Sequence, residues 1–251
     1  MNTISIKIVV ENSCIRDNLL AQHGLSVFVD YKWKKYLFDC GQIIEWLTYN
    51  LNAMNIKTKK IDWIIISHPH NDHCWSLPKL IPLLNKQNIY ITPDFDTKKY
   101  AYKNFVQVKK SIEIEKKLFL IWPLWNKKNY KEQSLVIDLW SKWLVIIVWC
   151  SHPWIENIIT KAQEVTWNKK IMGIIWWLHF VELKDIDIEK KIKYLKSLDL
   201  DFIAPGHCTW FDAINKIKKS LGDKIKISWM WTIWVWSTIQ LNPKLKFDIN
   251  R

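Results

Sequence analysis

The amino-acid sequence predicts a mixed α/β fold, and three observations carry the prediction. Short, near-continuous apolar runs rich in isoleucine and valine recur along the chain, the pattern of strands covered on both faces. Other segments, between these runs, return their apolar residues at helical spacing. Side chains able to bind metal gather directly after the apolar runs, where a strand would hand over to a loop. No Pro-, Gly- or Ser-rich linker and no repeat of fixed period interrupts the 251 residues, so residues 1–251 are expected to form a single domain.

Taken in order, strands are expected at residues 4–10, 25–31, 36–39, 61–66, 135–139, 144–148, 171–175, 201–204 and 225–228. Pro153 pre-sets the backbone for a helix through Glu156 to Gln163. Ile186, Ile192, Leu195 and Leu198 share one helical face. So do Phe211, Ile214, Ile217 and Leu221, with Thr209 as the N-cap and Gly222 as the stop. Residues 85–131 are lysine-rich with few turn signals, and a substrate-covering insertion is expected there.

The chemistry concentrates in Ser67-His68-Pro69-His70-Asn71-Asp72-His73, where His68, His70, Asp72 and His73 follow the expected strand 61–66. Alternate spacing aims His68 and His70 the same way, while Asp72 and His73 follow on the turn. Imidazole nitrogens and a carboxylate are borderline to hard donors, which suits zinc, iron or manganese. One such cation lowers the pKa of bound water from about 15.7 to roughly 7, and a pair clamps both the attacking and the leaving oxygen. A polar loop that happens to be rich in histidine is the bland alternative, but the H-x-H-x-D-H spacing is restrictive. Similar settings recur at His152, in Trp149-Cys150-Ser151-His152, and at His207, in Pro205-Gly206-His207-Cys208-Thr209. Asp39 ends a strand in Leu37-Phe38-Asp39-Cys40-Gly41.

These motifs, in this order, resemble the metallo-β-lactamase superfamily of metal-dependent hydrolases. Within it the chain is most similar to the branch of dihydropterin ribofuranosylaminobenzene phosphate synthase. That likeness rests on His23-Gly24-Leu25-Ser26, Phe38-Asp39-Cys40-Gly41-Gln42, Cys150-Ser151-His152-Pro153 leading to Ile155-Glu156-Asn157, Leu178-His179 and Gly206-His207-Cys208-Thr209. The resemblance implies a four-layer αββα sandwich with two divalent metal ions at one edge, Zn2+ first and Mn2+ or Fe2+ as alternatives. By similarity His68, His70 and His152 hold one ion, and Asp72, His73 and His207 the other. Asp39 orients ligands and loop. Asp72 doubles as proton acceptor, and His23 and His179 line the substrate pocket.

One departure stands out. Many members bridge the two metals with an aspartate between the positions of His152 and His207, yet the corresponding Ile174-Ile175-Trp176-Trp177-Leu178-His179 holds no carboxylate. His179 either stands in as a ligand, faces the substrate, or is a satisfied core histidine. The function implied is hydrolysis by a metal-activated hydroxide of a small anionic substrate such as a phosphoester or a pterin-like compound. A nuclease of the same fold and a catalytically silent, metal-containing sensor are the competing readings.

Composition carries a separate anomaly. An ordinary chain of this length holds about 18 glycines, whereas this one has 5 Gly and 18 Trp. Trp75, Trp149, Trp154, Trp176, Trp177 and Trp210 stand beside the metal-ligand loops where the resembling family carries glycine, and Trp33, Trp140, Trp143 and Trp167 lie in turn-like contexts. Glycine serves there because positive φ and close backbone approach exclude a Cβ. The expectation is that UGA codons, read as glycine in the source cells, are printed here as tryptophan; a genuine aromatic substrate wall is the rival.

The formal charge of +13 raises nucleic acid as a partner, but of 37 basic residues only Arg16 and Arg251 are arginine, the preferred bidentate reader of phosphate and bases. A solvated lysine surface that attracts small anions is the better account. Five cysteines without pairing logic point to a reducing compartment. Cys40, Cys74, Cys150 and Cys208 flank the metal-ligand loops and are read as small buried residues rather than thiolate ligands. No signal-like start and no apolar run near the roughly 20 residues of a membrane span is present, so a cytoplasmic protein is expected, with its oligomeric state open.

Overall fold

A computed structural model describes residues 4–14, 16–125, 131–139, 142–176, 183–206, 209, 211–222, 235–241 and 247–250. Along the chain come β1 (Ile4–Val10), β2 (Ser26–Tyr31), β3 (Lys34–Phe38), α1 (Ile44–Ala53), β4 (Trp63–Ile65), the single turn α2 (Asn71–Cys74), α3 (Leu77–Leu80), β5 (Asn88–Ile91) and β6 (Phe105–Gln107). Then follow β7 (Ile112–Glu115), β8 (Leu118–Trp125), β9 (Lys131–Leu139), β10 (Trp143–Ile147), α4 (Ile155–Thr166), β11 (Ile171–Trp176), α5 (Asp185–Ser197), β12 (Phe202–Pro205) and α6 (Phe211–Leu221). Two further strands, β13 (Thr238–Leu241) and β14 (Phe247–Asn250), come last.

Contacts group these elements into two units, Met1–Gln107 with Ile233–Arg251, and Val108–Thr232. The first holds an eight-stranded mixed sheet in the order β14-β13-β1-β2-β3-β4-β5-β6. Its strands are antiparallel from β14 to β3 and parallel from β3 to β6. Val9, Phe28, Leu37, Ile64 and Ile89 pack there with Leu47 and Leu51 of α1 and Leu77 and Leu80 of α3. The second holds a six-stranded mixed sheet, β12-β11-β10-β9-β8-β7, in which β10, β11 and β12 run parallel. Its core joins Val136, Ile146, Ile174 and Ile203 to Ile158 and Ile159 of α4, Ile192 and Leu195 of α5, and Ile217 and Leu221 of α6. Burying each such side chain stabilises by about 1.5–3 kcal/mol, which is what the isoleucine-rich runs supply.

Eight of the nine expected strands appear within a few residues of their expected bounds; residues 225–228 lie outside the described residues. The stretch 85–131 is corrected: instead of an insertion it supplies β5, β6, β7 and β8 and the first residue of β9. Three of these strands are only three or four residues long, and Lys103, Lys109, Lys110, Lys116 and Lys117 between them broke up the apolar pattern. On α5 the buried face is Ile188, Lys191, Ile192 and Leu195, while Ile186 is 61% exposed, because it precedes Ile188 by two residues and so falls on the opposite side of the helix. Helix α6 begins at Phe211, two residues after Thr209, and position 210 lies outside the described residues. Gly222, with φ 54°, follows its last residue as expected.

Two strand pairings position the side chains that matter. Parallel β3 and β4 are in register at Phe38 and Ile65, so their carboxyl ends, carrying Asp39 and Ser67, leave the sheet together. Antiparallel β9 and β10 pair Leu135 with Ile147, which brings the amino end of β9, with Glu132, beside the residues that follow β10.

Candidate metal centre

In the first unit the site is built around Asp39, which is fully buried and held in left-handed backbone at φ 58°. Its amide donates to the Ile65 carbonyl at 2.8 Å, locking it to the end of β4. Its Oδ1 accepts the Ser67 amide at 2.7 Å, and its Oδ2 accepts the Ser67 hydroxyl at 2.6 Å and lies 2.6 Å from Nδ1 of His73. Ser67 Oγ in turn lies 2.9 Å from Nδ1 of His68.

This chain of contacts assigns the tautomers. A carboxylate only accepts, so the Ser67 hydroxyl spends its proton on Asp39 and accepts from His68 Nδ1–H, leaving a lone pair on His68 Nε2. That nitrogen faces Nδ1 of His70 at 2.9 Å. By the same logic His73 donates Nδ1–H to Asp39, and its Nε2 lies 3.2 Å from Oδ2 of Asp72. A lone pair and a carboxylate oxygen at that distance repel unless a proton or a cation lies between them. Burial works against a charged His73, but Asp39 and Asp72 outweigh it and push its pKa up to about 10. Burial pushes the Asp39 carboxyl up as well, with His73 and Ser67 pulling against it. The rings of His68 and His73 lie 4.2 Å apart by their centroids, and those of His68 and His70 4.5 Å. This nitrogen-and-oxygen donor set, with His68 and His73 buried and His70 and Asp72 partly so, therefore fits a divalent cation.

Neighbouring groups fix the loop's backbone. The thiols of Cys40 and Cys74 donate to the carbonyls of His73 and His70 at 3.4 and 3.3 Å. Burial, then Asp39 and Asp72, push the Cys74 thiol up to about 12, so it acts as a neutral donor and not as a thiolate. Gly24 sits at φ +127°, where an added Cβ would stand 2.3 Å from the Asp72 carbonyl oxygen. Leu25 donates its amide to that same carbonyl at 3.2 Å, which ties the segment bearing the exposed His23 to the ligand loop.

In the second unit the corresponding carboxylate is Glu132, at the start of β9. Its Oε1 accepts the Ser151 amide at 3.0 Å, and its Oε2 accepts the His152 amide at 3.1 Å and lies 2.8 Å from Nδ1 of the His152 ring. Burial alone would raise the Glu132 carboxyl, but the ring and the two amides hold it below the usual carboxylate range. Ser151 is in left-handed backbone at φ 55°, the bend that turns His152 back toward β9.

Of the expected site residues, His23, Asp39, His68, His70, Asp72 and His73 lie in the first unit, with the four loop residues and Asp39 drawn together; His152 lies in the second. His179 and His207 lie outside the described residues. Sequence reasoning missed Glu132 and Ser67. The signal for Glu132 was a carboxylate three residues ahead of an apolar run that starts at Leu135; only its burial, which sequence does not print, marks it out.

The Metallo-beta-lactamase superfamily model matches residues 23–149. The chain belongs to the metallo-β-lactamase superfamily. It is 27% identical over 246 residues to an uncharacterized protein of Methanocaldococcus jannaschii, covering 85% of this chain and 94% of that one. It is also 27% identical over 245 residues to the 7,8-dihydropterin-6-methyl-4-(beta-D-ribofuranosyl)-aminobenzene-5'-phosphate synthase of the same organism, covering 78% and 83%. Among solved structures, a metal-dependent hydrolase of the beta-lactamase superfamily superposes with a TM-score of 0.76 at 23% identity, covering 94% of this chain and 98% of the other. The two mixed sheets with their helices are thus the α/β metallo-β-lactamase fold. No helix among the described residues is long and apolar enough to cross a membrane.

Proposed function

We propose that this chain is a metal-dependent hydrolase acting on a small anionic substrate, a phosphoester or a pterin-like compound, with residues 1–251 working as one metallo-β-lactamase-like domain. The observation that carries the reading is the buried loop in which His73 Nε2 faces the Asp72 carboxylate at 3.2 Å, an arrangement that a cation satisfies as well as a proton does. His68, His70 and His152 are assigned to one divalent ion, and Asp72, His73 and His207 to a second, Zn2+ being favoured by the imidazole-rich set and Mn2+ or Fe2+ compatible with it. When bound, such ions supply the Lewis acidity that makes water a nucleophile near neutral pH. Asp39 keeps the His73 and His68 rings turned so that Nε2 is the donor. Asp72, whose side chain is 18% exposed where that of His73 is wholly buried, is assigned the proton of the attacking water. His23 and His179 are assigned to the substrate side.

Similarity to a dihydropterin ribofuranosyl-aminobenzene 5'-phosphate synthase supports the substrate class, and the formal charge of +13 favours an anion. The scarcity of arginine speaks against nucleic acid as substrate. The reading places the enzyme in the cytoplasm. Purified protein stripped with a chelator and assayed on phosphoesters, lactones and pterin-like compounds should be inactive and recover with zinc or manganese. Full activity in chelator rejects the reading; two ions bound without turnover of any substrate favours a sensor instead.

A further inference from the structure

We propose that Glu132 is the positioning residue for His152: from inside β9 its carboxylate holds the Ser151–His152 turn and presents Nε2 of the ring as the metal donor. The inference rests on the reading of the site as a metal centre. A neutral imidazole has one N–H and one lone pair, and a carboxylate accepts only; with Oε2 at 2.8 Å from Nδ1, the proton is on Nδ1 and the lone pair on Nε2. The Glu132 side chain is 0% exposed and takes all three of its hydrogen bonds from this one turn. Asp39 makes the same kind of clamp in the other unit, joining a loop amide, that of Ser67, to the Nδ1 of a histidine. Each unit therefore carries its own carboxylate that binds both the loop backbone and a ring. Two amide bonds would suffice to anchor a turn; the bond to Nδ1 adds only the ring's tautomer and aim, which is what a ligand requires.

Glu132→Gln keeps the shape and replaces one acceptor oxygen by an amino group. Zinc affinity, measured by competition with a chromophoric chelator, should fall by about 10- to 100-fold. Nitrogen NMR of the metal-free protein should show the Nδ1–H tautomer for His152 in the wild-type chain and its loss in the variant. His152→Ala should lose at least as much affinity as Glu132→Gln, with the double variant losing little more than His152→Ala alone. Wild-type affinity in Glu132→Gln, or an Nε2–H tautomer of His152 in the wild-type chain, overturns the role; the second measurement decides even if the variant fails to fold. A wild-type chain that takes up no zinc, manganese or iron brings down the metal-centre reading and this role together, a result distinct from wild-type binding that Glu132→Gln leaves intact.

A different observation carries a second inference. Trp154 has φ 72° and ψ 136°, Trp167 φ 58° and ψ 18°, and Trp236 φ 84°. The first lies close to a region that glycine alone populates, and the second is the left-handed C-cap of α4, where glycine is the usual residue. Trp167 is 91% exposed and so gains nothing from burial. Together with 5 Gly against 18 Trp, this points to glycine at these positions in the protein as its own cells make it, UGA being read there as glycine. Peptide mass spectrometry of the protein from those cells should find glycine at 154 and 167; tryptophan at both overturns the inference. In the recombinant chain, Trp154→Gly and Trp167→Gly should each raise the melting temperature by a few degrees, and a fall in both counts equally against it.

Discussion

The Asp39 carboxylate lies 2.6 Å from Nδ1 of His73, a residue 34 positions further along the chain, and neither side chain has any exposed surface. Removing the Asp39 charge leaves His73 with only the partly exposed Asp72 as its counter-charge. Asp39→Asn should therefore destabilise the metal-free protein by up to about 3–5 kcal/mol, the cost of breaking a buried pair. Urea unfolding at pH 7 checks this, and a loss below 1 kcal/mol would show that the pair is not an ion pair.

Acid stability follows from Glu132. Its folded pKa lies below the ordinary 4.5, so its contribution to stability is present above pH 4.5 and is lost as the pH falls through the lower folded value. The stability difference between wild type and Glu132→Gln should be largest near neutrality and shrink steadily below pH 4.5. Paired denaturant curves from pH 3 to 7 measure it; a difference that grows on acidification would reverse the sign.

Thiol chemistry offers a third test. With a pKa of about 12, the Cys74 thiol is ionised to about one part in ten thousand at pH 8. Iodoacetamide should label the partly exposed Cys14 in the native protein, and Cys74 and Cys40 only after denaturation. Rapid native labelling of Cys74 would contradict the burial of the loop it anchors.

Two glycines should answer differently to alanine. At Gly24 a Cβ meets backbone, the Asp72 carbonyl oxygen, and φ is +127°, so Gly24→Ala should cost well over 1 kcal/mol. At Gly222 nothing lies within 4 Å, and Gly222→Ala should cost only about 1 kcal/mol, the strain of its φ of +54°. Equal melting temperatures for the two variants would deny that Gly24 is fixed by the ligand loop.

The ligand loop was legible in the sequence because its information is local: His68, His70, Asp72 and His73 crowd one turn, directly after an apolar run that cannot avoid being a buried strand. The strands 4–10 and 171–175 were legible for the same reason. Strands β5 to β8 were not, since most are only three or four residues long and lysine-bearing connections separate them, which leaves a strand's identity to the sheet that receives it. Ile186 read as core because its spacing groups it with Ile192 and Leu195, whereas the face they share in the folded chain passes through Ile188.

By itself, the sequence determined the α/β class, the ligand types and the loops that carry them. Tertiary structure alone decided which carboxylate serves which ring. Asp39 reaches His73, and Glu132 reaches His152, through the parallel register of β3 on β4 and the antiparallel register of β9 on β10. A carboxylate acquires that role only once burial removes water as a competing partner, and burial is a property of the whole fold rather than of any run of residues.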